Sequence, residues 1–113
     1  MKFEDHALYR FRERRPDLFI MADSPGEIEE QAHLSYRTGY LITRREAMER
    51  VDGPIRASTS DVFYLADGTG PGVWIACRTS RGREVALTFI APHYAVEERE
   101  IDMAVQGLIG AVG

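Results

Sequence analysis

Cysteine and lysine are almost missing from this chain. The only cysteine is Cys77, and thirteen of the fourteen basic residues are arginine, Lys2 being the exception. One cysteine excludes an internal disulfide and agrees with a reducing compartment. In mid-strand it reads as buried filler rather than a reactive thiol. No apolar run approaches the roughly 20 residues needed to span a bilayer. The opening MKFEDHALYRF carries acids where a secretion signal has an apolar core. These absences predict a cytoplasmic protein with no membrane partner. No two histidines or acids show a recognised metal spacing, so a metal site is not expected. The glycines of Gly68-Thr69-Gly70-Pro71-Gly72 lack the lysine of a phosphate loop, and Pro71 removes a donor N–H. They read as a hairpin turn, and no cofactor is expected. Ser58, Thr59 and Ser60 have hydroxyls but no paired base. Internal repeats, low-complexity tracts and long flexible linkers are absent as well.

What is present suits one globular domain. A chain of 113 residues has room for one core, and 44% apolar with 28% charged residues is ordinary for a soluble protein. The net charge of −4 argues mildly against a dedicated nucleic-acid binder. Its distribution is uneven. Residues 1–56 hold ten basic and eleven acidic side chains, whereas residues 57–113 hold four basic and seven acidic. Arginine matches phosphate and carboxylate geometry and stays charged.

The pattern predicts an α+β domain over residues 1–113. Residues 1–56 are mainly helical, 61–92 form a three-stranded antiparallel β-meander, and 94–112 form a C-terminal helix. Phe3, Ala7, Leu8 and Phe11 fall on one side of a helix over 3–15, which Pro16 ends. Leu18 to Met21 read as a short strand or buried connector. Ser24-Pro25-Gly26-Glu27 has the form of a capping box, and the helix it opens runs to about Thr38, with Gly39 as its stop. Thr43-Arg44-Arg45-Glu46 repeats the box, with Ile42 stapling to Ala47, and that helix ends near Val51 before Asp52-Gly53-Pro54. In the meander, DVFYLAD, VWIACR and REVALTFIAP are strands separated by GTGPG and TSRG. Val85, Leu87 and Phe89 are expected to alternate with Glu84, Ala86, Thr88 and Ile90. In the first of these strands both alternating sets, Val62, Tyr64 and Ala66 against Phe63 and Leu65, are apolar, which allows cover on both of its faces, while the sheet as a whole has one clearly apolar face for the helices to cover. After it, Ile101, Val105, Leu108 and Val112 recur at helical spacing.

The segments VFYLADG, PGVWIACR, TSRG, REVALTFIA and HYAVEER, with the opening MKFE, resemble BrnT-type toxins of the RelE-like ribonuclease toxin superfamily. The resemblance covers about a third of the chain, mainly residues 62–99. A second likeness, His6-Ala7 followed by Arg10 and Arg14, is to RelE-like families that open with a histidine-alanine helix carrying arginines. The resemblance implies a small sheet flanked by helices, metal-independent cleavage of RNA and neutralisation by an antitoxin. A base would take the 2′-hydroxyl proton, and cations would stabilise the charge gathering on phosphate. By position, the candidates for this catalytic set are Arg78, Arg81, His93 and Arg99. Arg81 matches the basic turn residue, Arg99 with Glu98 matches the family's "ER", and His93 is the proton-transfer group. The chain departs from the family pattern at Pro92, where a basic residue is usual.

His6, Arg10 and Arg14 share one helix face at four-residue steps. They read either as an RNA- or partner-binding stripe, with Glu98 as a further contact, or as a solvated face pairing with Glu13 and Asp17. His33 is by default an ordinary helix histidine. Trp74 and Tyr64 could stack on bases, although core packing is the commoner use. The last helix either completes the core or faces a partner. Three functional expectations follow. The first is a toxin-like ribonuclease. The second is a non-catalytic protein-binding module on the same scaffold, such as an inhibitor or a phage or defence modulator, which the acidic balance and Pro92 favour. The third is a structural homodimer using the edge strand or the last helix.

Overall fold

The computed structural model describes residues 1–19, 25–55, 61–92, 105, 107 and 108. They form an α+β arrangement of three α-helices, a short 3-10 turn and five strands. In chain order these are β1 (Lys2–Phe3), α1 (Asp5–Arg14), the 3-10 turn (Pro16–Leu18), α2 (Pro25–Arg37), β2 (Leu41–Ile42), α3 (Arg44–Val51), β3 (Val62–Ala66), β4 (Val73–Arg78) and β5 (Glu84–Ile90). The strands make one sheet in the order β1-β5-β4-β3-β2.

β3, β4 and β5 pair antiparallel in succession. The sheet is nevertheless wider than the expected three-stranded one, and it is mixed. β1 adds parallel to β5, and β2 adds antiparallel to β3. Both added strands are two residues long, too short to display the alternation by which a strand is recognised. Phe3 therefore belongs to a strand and not to the first helix. Its ring still reaches the core that Ala7 and Phe11 occupy.

Capping chemistry sets the ends of α3. The Thr43 hydroxyl accepts the Glu46 N–H at 3.1 Å, and the Thr43 N–H donates to the Glu46 carboxylate at 3.2 Å. The helix stops at Asp52, whose left-handed φ of 53° lets its N–H reach back to the Glu49 and Met48 carbonyls. Ile42 and Ala47 lie in one buried cluster, as a staple requires. Residues 20–24 lie outside the described residues, including Ser24 and the end of the Leu18 to Met21 stretch.

Both faces of the sheet are covered, which corrects the expectation of one apolar face. On one side α1 and α2 bring Ala7, Phe11, Ala32 and Tyr36, together with Phe3 of β1, onto Trp74, Ala76, Ala86 and Phe89. The ring centroids of Phe11, Trp74 and Phe89 lie 4.8–5.0 Å apart, and each fully buried ring contributes about 1.5–3 kcal/mol. On the other side α3, with Val105 and Leu108, packs on Tyr64, Val73, Ile75, Cys77, Val85, Leu87 and Ile90. The predicted helix over 94–112 otherwise lies outside the described residues.

A bulge in β5 decides which side chains face which layer. Thr88 stands opposite Ile75, but the next pair is Ala86 with Ala76, so Leu87 is an extra residue. The expected alternation of Val85, Leu87 and Phe89 fails at this point. Val85, Leu87 and Ile90 share one cluster, and Ala86 and Phe89 share the other.

Candidate functional site

The two ends of the sheet carry different polar chemistry. At the β3–β4 turn, Asp67 is 1% exposed and Arg15 5%. The Arg15 guanidinium donates to the Asp67 carboxylate at 2.5 Å and to Asp17 at 2.9 and 3.0 Å. Asp67 also accepts from the Ser35 hydroxyl, the Thr69 N–H and the Thr69 hydroxyl, and the Trp74 indole N–H donates to Ser35 at 2.8 Å. Burial alone would lower the Arg15 pKa. The hydrogen bond to Asp17 and the charges of Asp67 and Asp17 outweigh it and hold the guanidinium above its ordinary value. Arg50 grips the same turn through the carbonyls of Asp67, Gly70 and Gly72 at 2.6–3.1 Å. This end has every mark of a structural lock. Its carboxylate is enclosed and multiply bonded, which leaves no lone pair facing a substrate.

At the opposite end, where β4 turns into β5, polar groups remain accessible. Arg78 and Glu84 are the last pair of the β4–β5 ladder. The bulge leaves both on the α2 side, with Ala76 and Ala86. Arg78 is exposed, and its guanidinium lies 5.5 Å from the centre of the Phe63 ring. Tyr36, from the inner face of α2, donates its hydroxyl to the Glu84 carboxylate at 3.1 Å. Burial first, then the charge and hydrogen bond of Glu84, push the Tyr36 phenol well above its ordinary pKa, against the opposing charge of Arg78. Arg81 is exposed on the same turn, between Thr79 and Gly82, and Gly82 takes the φ of +81° that the turn needs. A half-exposed carboxylate that accepts from a phenol offers a proton acceptor, and Arg78 across the ladder with Arg81 on the adjoining turn offers guanidinium groups that match phosphate geometry.

Of the residues singled out from sequence, Arg78 and Arg81 therefore sit together, while His93, Glu98 and Arg99 lie outside the described residues. The helix stripe lies elsewhere. Arg10 pairs with Glu13 at 3.0 Å, and Arg14 donates to the Phe89 carbonyl at 2.7 Å. Phe89 is five residues along β5 from Glu84, roughly 16 Å at strand rise. His6 opens the same helix, one turn before Arg10. Trp74 and Tyr64 are both buried, so neither presents a stacking face to solvent.

Tyr36 and Glu84 were not singled out as a pair. A tyrosine on the buried side of an amphipathic helix signals a need for a polar partner, but nothing local identifies a carboxylate 48 positions away. A hollow of about 610 Å³ lies along α2, lined by Leu18, Phe19, Glu30, His33, Leu34 and Arg37 among others, and among the described residues it includes none of the expected site residues. Among the described residues no three His, Cys, Asp or Glu side chains gather as a metal ion would require, and no helix is long and apolar enough to cross a membrane. Compared with protein families, characterised proteins and solved structures, the chain has no match, so neither a family nor an activity reaches it from a relative.

Proposed function

We propose that this protein is a metal-independent ribonuclease of the toxin type, acting at the β4–β5 end of the sheet. The observation that carries the reading is the Tyr36–Glu84 hydrogen bond of 3.1 Å beside Arg78, with Arg81 on the adjoining turn. The resemblance to BrnT-type toxins supplies the reaction class, and the geometry supplies a base and cations suited to it.

In this reading the Glu84 carboxylate accepts the proton of a ribose 2′-hydroxyl, and the freed oxygen attacks the adjacent phosphorus. Arg78 and Arg81 carry the extra negative charge on the phosphoryl oxygens as the bond to the 5′-oxygen breaks. The leaving 5′-oxygen takes up a proton, for which His93 is the candidate because histidine is the side chain suited to proton transfer near neutrality. The products are a 2′,3′-cyclic phosphate and a 5′-hydroxyl end. Tyr36 orients the carboxylate. With its phenol pKa raised by burial and by Glu84, it keeps its own proton at neutral pH.

The test is cleavage of a single-stranded RNA oligonucleotide in excess EDTA, with the ends identified by mass. Wild type should leave cyclic phosphate ends. Arg78→Ala should lower kcat about 10²–10³-fold, and Glu84→Gln about 10²–10⁴-fold. Absence of cleavage by wild type, or cleavage unchanged in both variants, overturns the reading. Expression in bacteria should arrest growth with wild type and not with an Arg78→Ala, Arg81→Ala double variant.

The second reading, a protein-binding module, is favoured by a different observation. Tyr40 and Leu41 stand 58% and 69% exposed side by side at the outer edge of the sheet.

A further inference from the structure

We propose that the outer edge of β2 receives an extended segment of a protein partner whose side chains alternate basic and apolar. The inference stands apart from RNA cleavage and concerns the β2 edge of the sheet.

β2 ends the sheet order. The Ala66 N–H donates to the Tyr40 carbonyl at 2.9 Å, and Ile42 stands opposite Tyr64. In an antiparallel ladder alternate residues bond inward, so the N–H and C=O of Leu41 point away from β3. Natural edge strands are blocked by charge or proline. The opposite edge, β1, contains Lys2 and runs directly into Glu4, whereas residues 39–43, Gly-Tyr-Leu-Ile-Thr, contain neither charge nor proline. An added strand would bond to Leu41 and cover the exposed Tyr40 and Leu41 side chains.

The two faces of this edge ask for different side chains. Leu41 stands opposite Leu65, on the α1 and α2 side, where an incoming residue meets the apolar side chain of Leu41. Tyr40 and Ile42 face the α3 side, beside a hollow of about 340 Å³ lined also by Glu46, Glu49 and Arg50. Arg50 is engaged by the carbonyls of Asp67, Gly70 and Gly72. Glu49 pairs only loosely with Arg45, at 3.5 Å and with both side chains largely exposed. The hollow therefore favours a basic side chain. Strand side chains alternate between faces, so one pairing register yields basic, apolar, basic. A second copy of this chain would present its own Glu46 and Glu49 to the same acids, which disfavours self-pairing.

The test uses the ¹⁵N-labelled full chain and two synthetic peptides, TRVRVRT and TEVEVET. The first should produce saturable amide shifts centred on Tyr40, Leu41 and Leu65, with a Kd of about 0.1–1 mM, and the second none. Leu41→Pro removes the outward donor and should abolish the shifts. Glu49→Lys leaves the edge backbone intact and should weaken binding about tenfold, or about 1.4 kcal/mol. Equal binding of both peptides, no shifts at about 2 mM peptide, or shifts clustered away from β2 each overturn the proposal. So does a concentration-dependent dimer that broadens the Leu41 signal and excludes the peptide, which makes a second copy the occupant.

Discussion

Arg15 and Asp67, 52 positions apart in sequence, meet as a buried ion pair that ties the end of α1 to the β3–β4 turn. Asp67 also accepts from Ser35 of α2, so one carboxylate joins two helices and a hairpin. Gly70 lies so close to the guanidinium that an added Cβ would meet its Nη1 at 2.7 Å. The turn and the arginine therefore constrain each other.

Removing one partner leaves an uncompensated buried charge. Arg15→Ala should destabilise by about 3–5 kcal/mol. Adding Asp67→Asn should cost less than the two single changes together, by about 0.5–3 kcal/mol. Urea unfolding of the four proteins in the cycle measures both quantities.

Acid should act partly through Asp17. The hydrogen bond from Arg15, then its charge, hold the Asp17 carboxyl below its ordinary pKa despite some desolvation. A depressed folded pKa gives stability that is present above the unfolded value, near 3.9, and is lost as pH falls through the folded one. Asp17→Asn should therefore narrow the gap to wild type as pH drops below about 4. Because the Asp17 side chain is 62% exposed, the effect should be small and weaken in salt. Urea titrations at a series of pH values measure it.

Alkali should act through Tyr36. Its phenol pKa is raised, by burial foremost and then by Glu84. The stability this contributes is fully present below the unfolded value of about 10 and is lost as pH rises toward the folded one. Above about pH 10, wild type should lose stability that Tyr36→Phe does not. In the ultraviolet titration of the native protein, a tyrosine should ionise above the ordinary phenol value of about 10, and Tyr36→Phe should remove that late step.

Two glycines should respond to alanine with opposite signs. A Cβ on Gly26, within α2, meets nothing within 4 Å, so Gly26→Ala should stabilise by about 0.5–1 kcal/mol. A Cβ on Gly39 would overlap the Ala66 carbonyl oxygen, which is backbone and cannot yield. Gly39→Ala should cost about 1–3 kcal/mol and loosen β2. Thermal unfolding of both variants reads the two signs.

Elements whose cause lies within a few residues were legible in the chain. The Thr43–Glu46 capping box appears in the structure as read. The apolar runs over 62–66, 73–78 and 84–90 are strands, because turn residues and β-formers at those positions act on neighbouring backbone. β1 and β2 were not legible, since a two-residue strand exists only through its partner. The bulge at Leu87 was hidden for the same reason. Residues 84–90 alternate without interruption as text, and only pairing to β4 creates the slip that sends Phe89 to one layer and Ile90 to the other.

The candidate site divides along the same line. Arg78 and Arg81 could be named from one hairpin, because four residues of chain hold them together. Joining them to Tyr36 through Glu84 required α2 to lie across the sheet. Composition and periodicity alone determined an arginine-rich α+β chain, since those depend on local propensity and on the count of apolar positions. Which arginines became fasteners, as Arg15 and Arg50 did, and which stayed at the surface, as Arg78 did, was decided by tertiary packing. A guanidinium is locked only when distant backbone and carboxylates close around it.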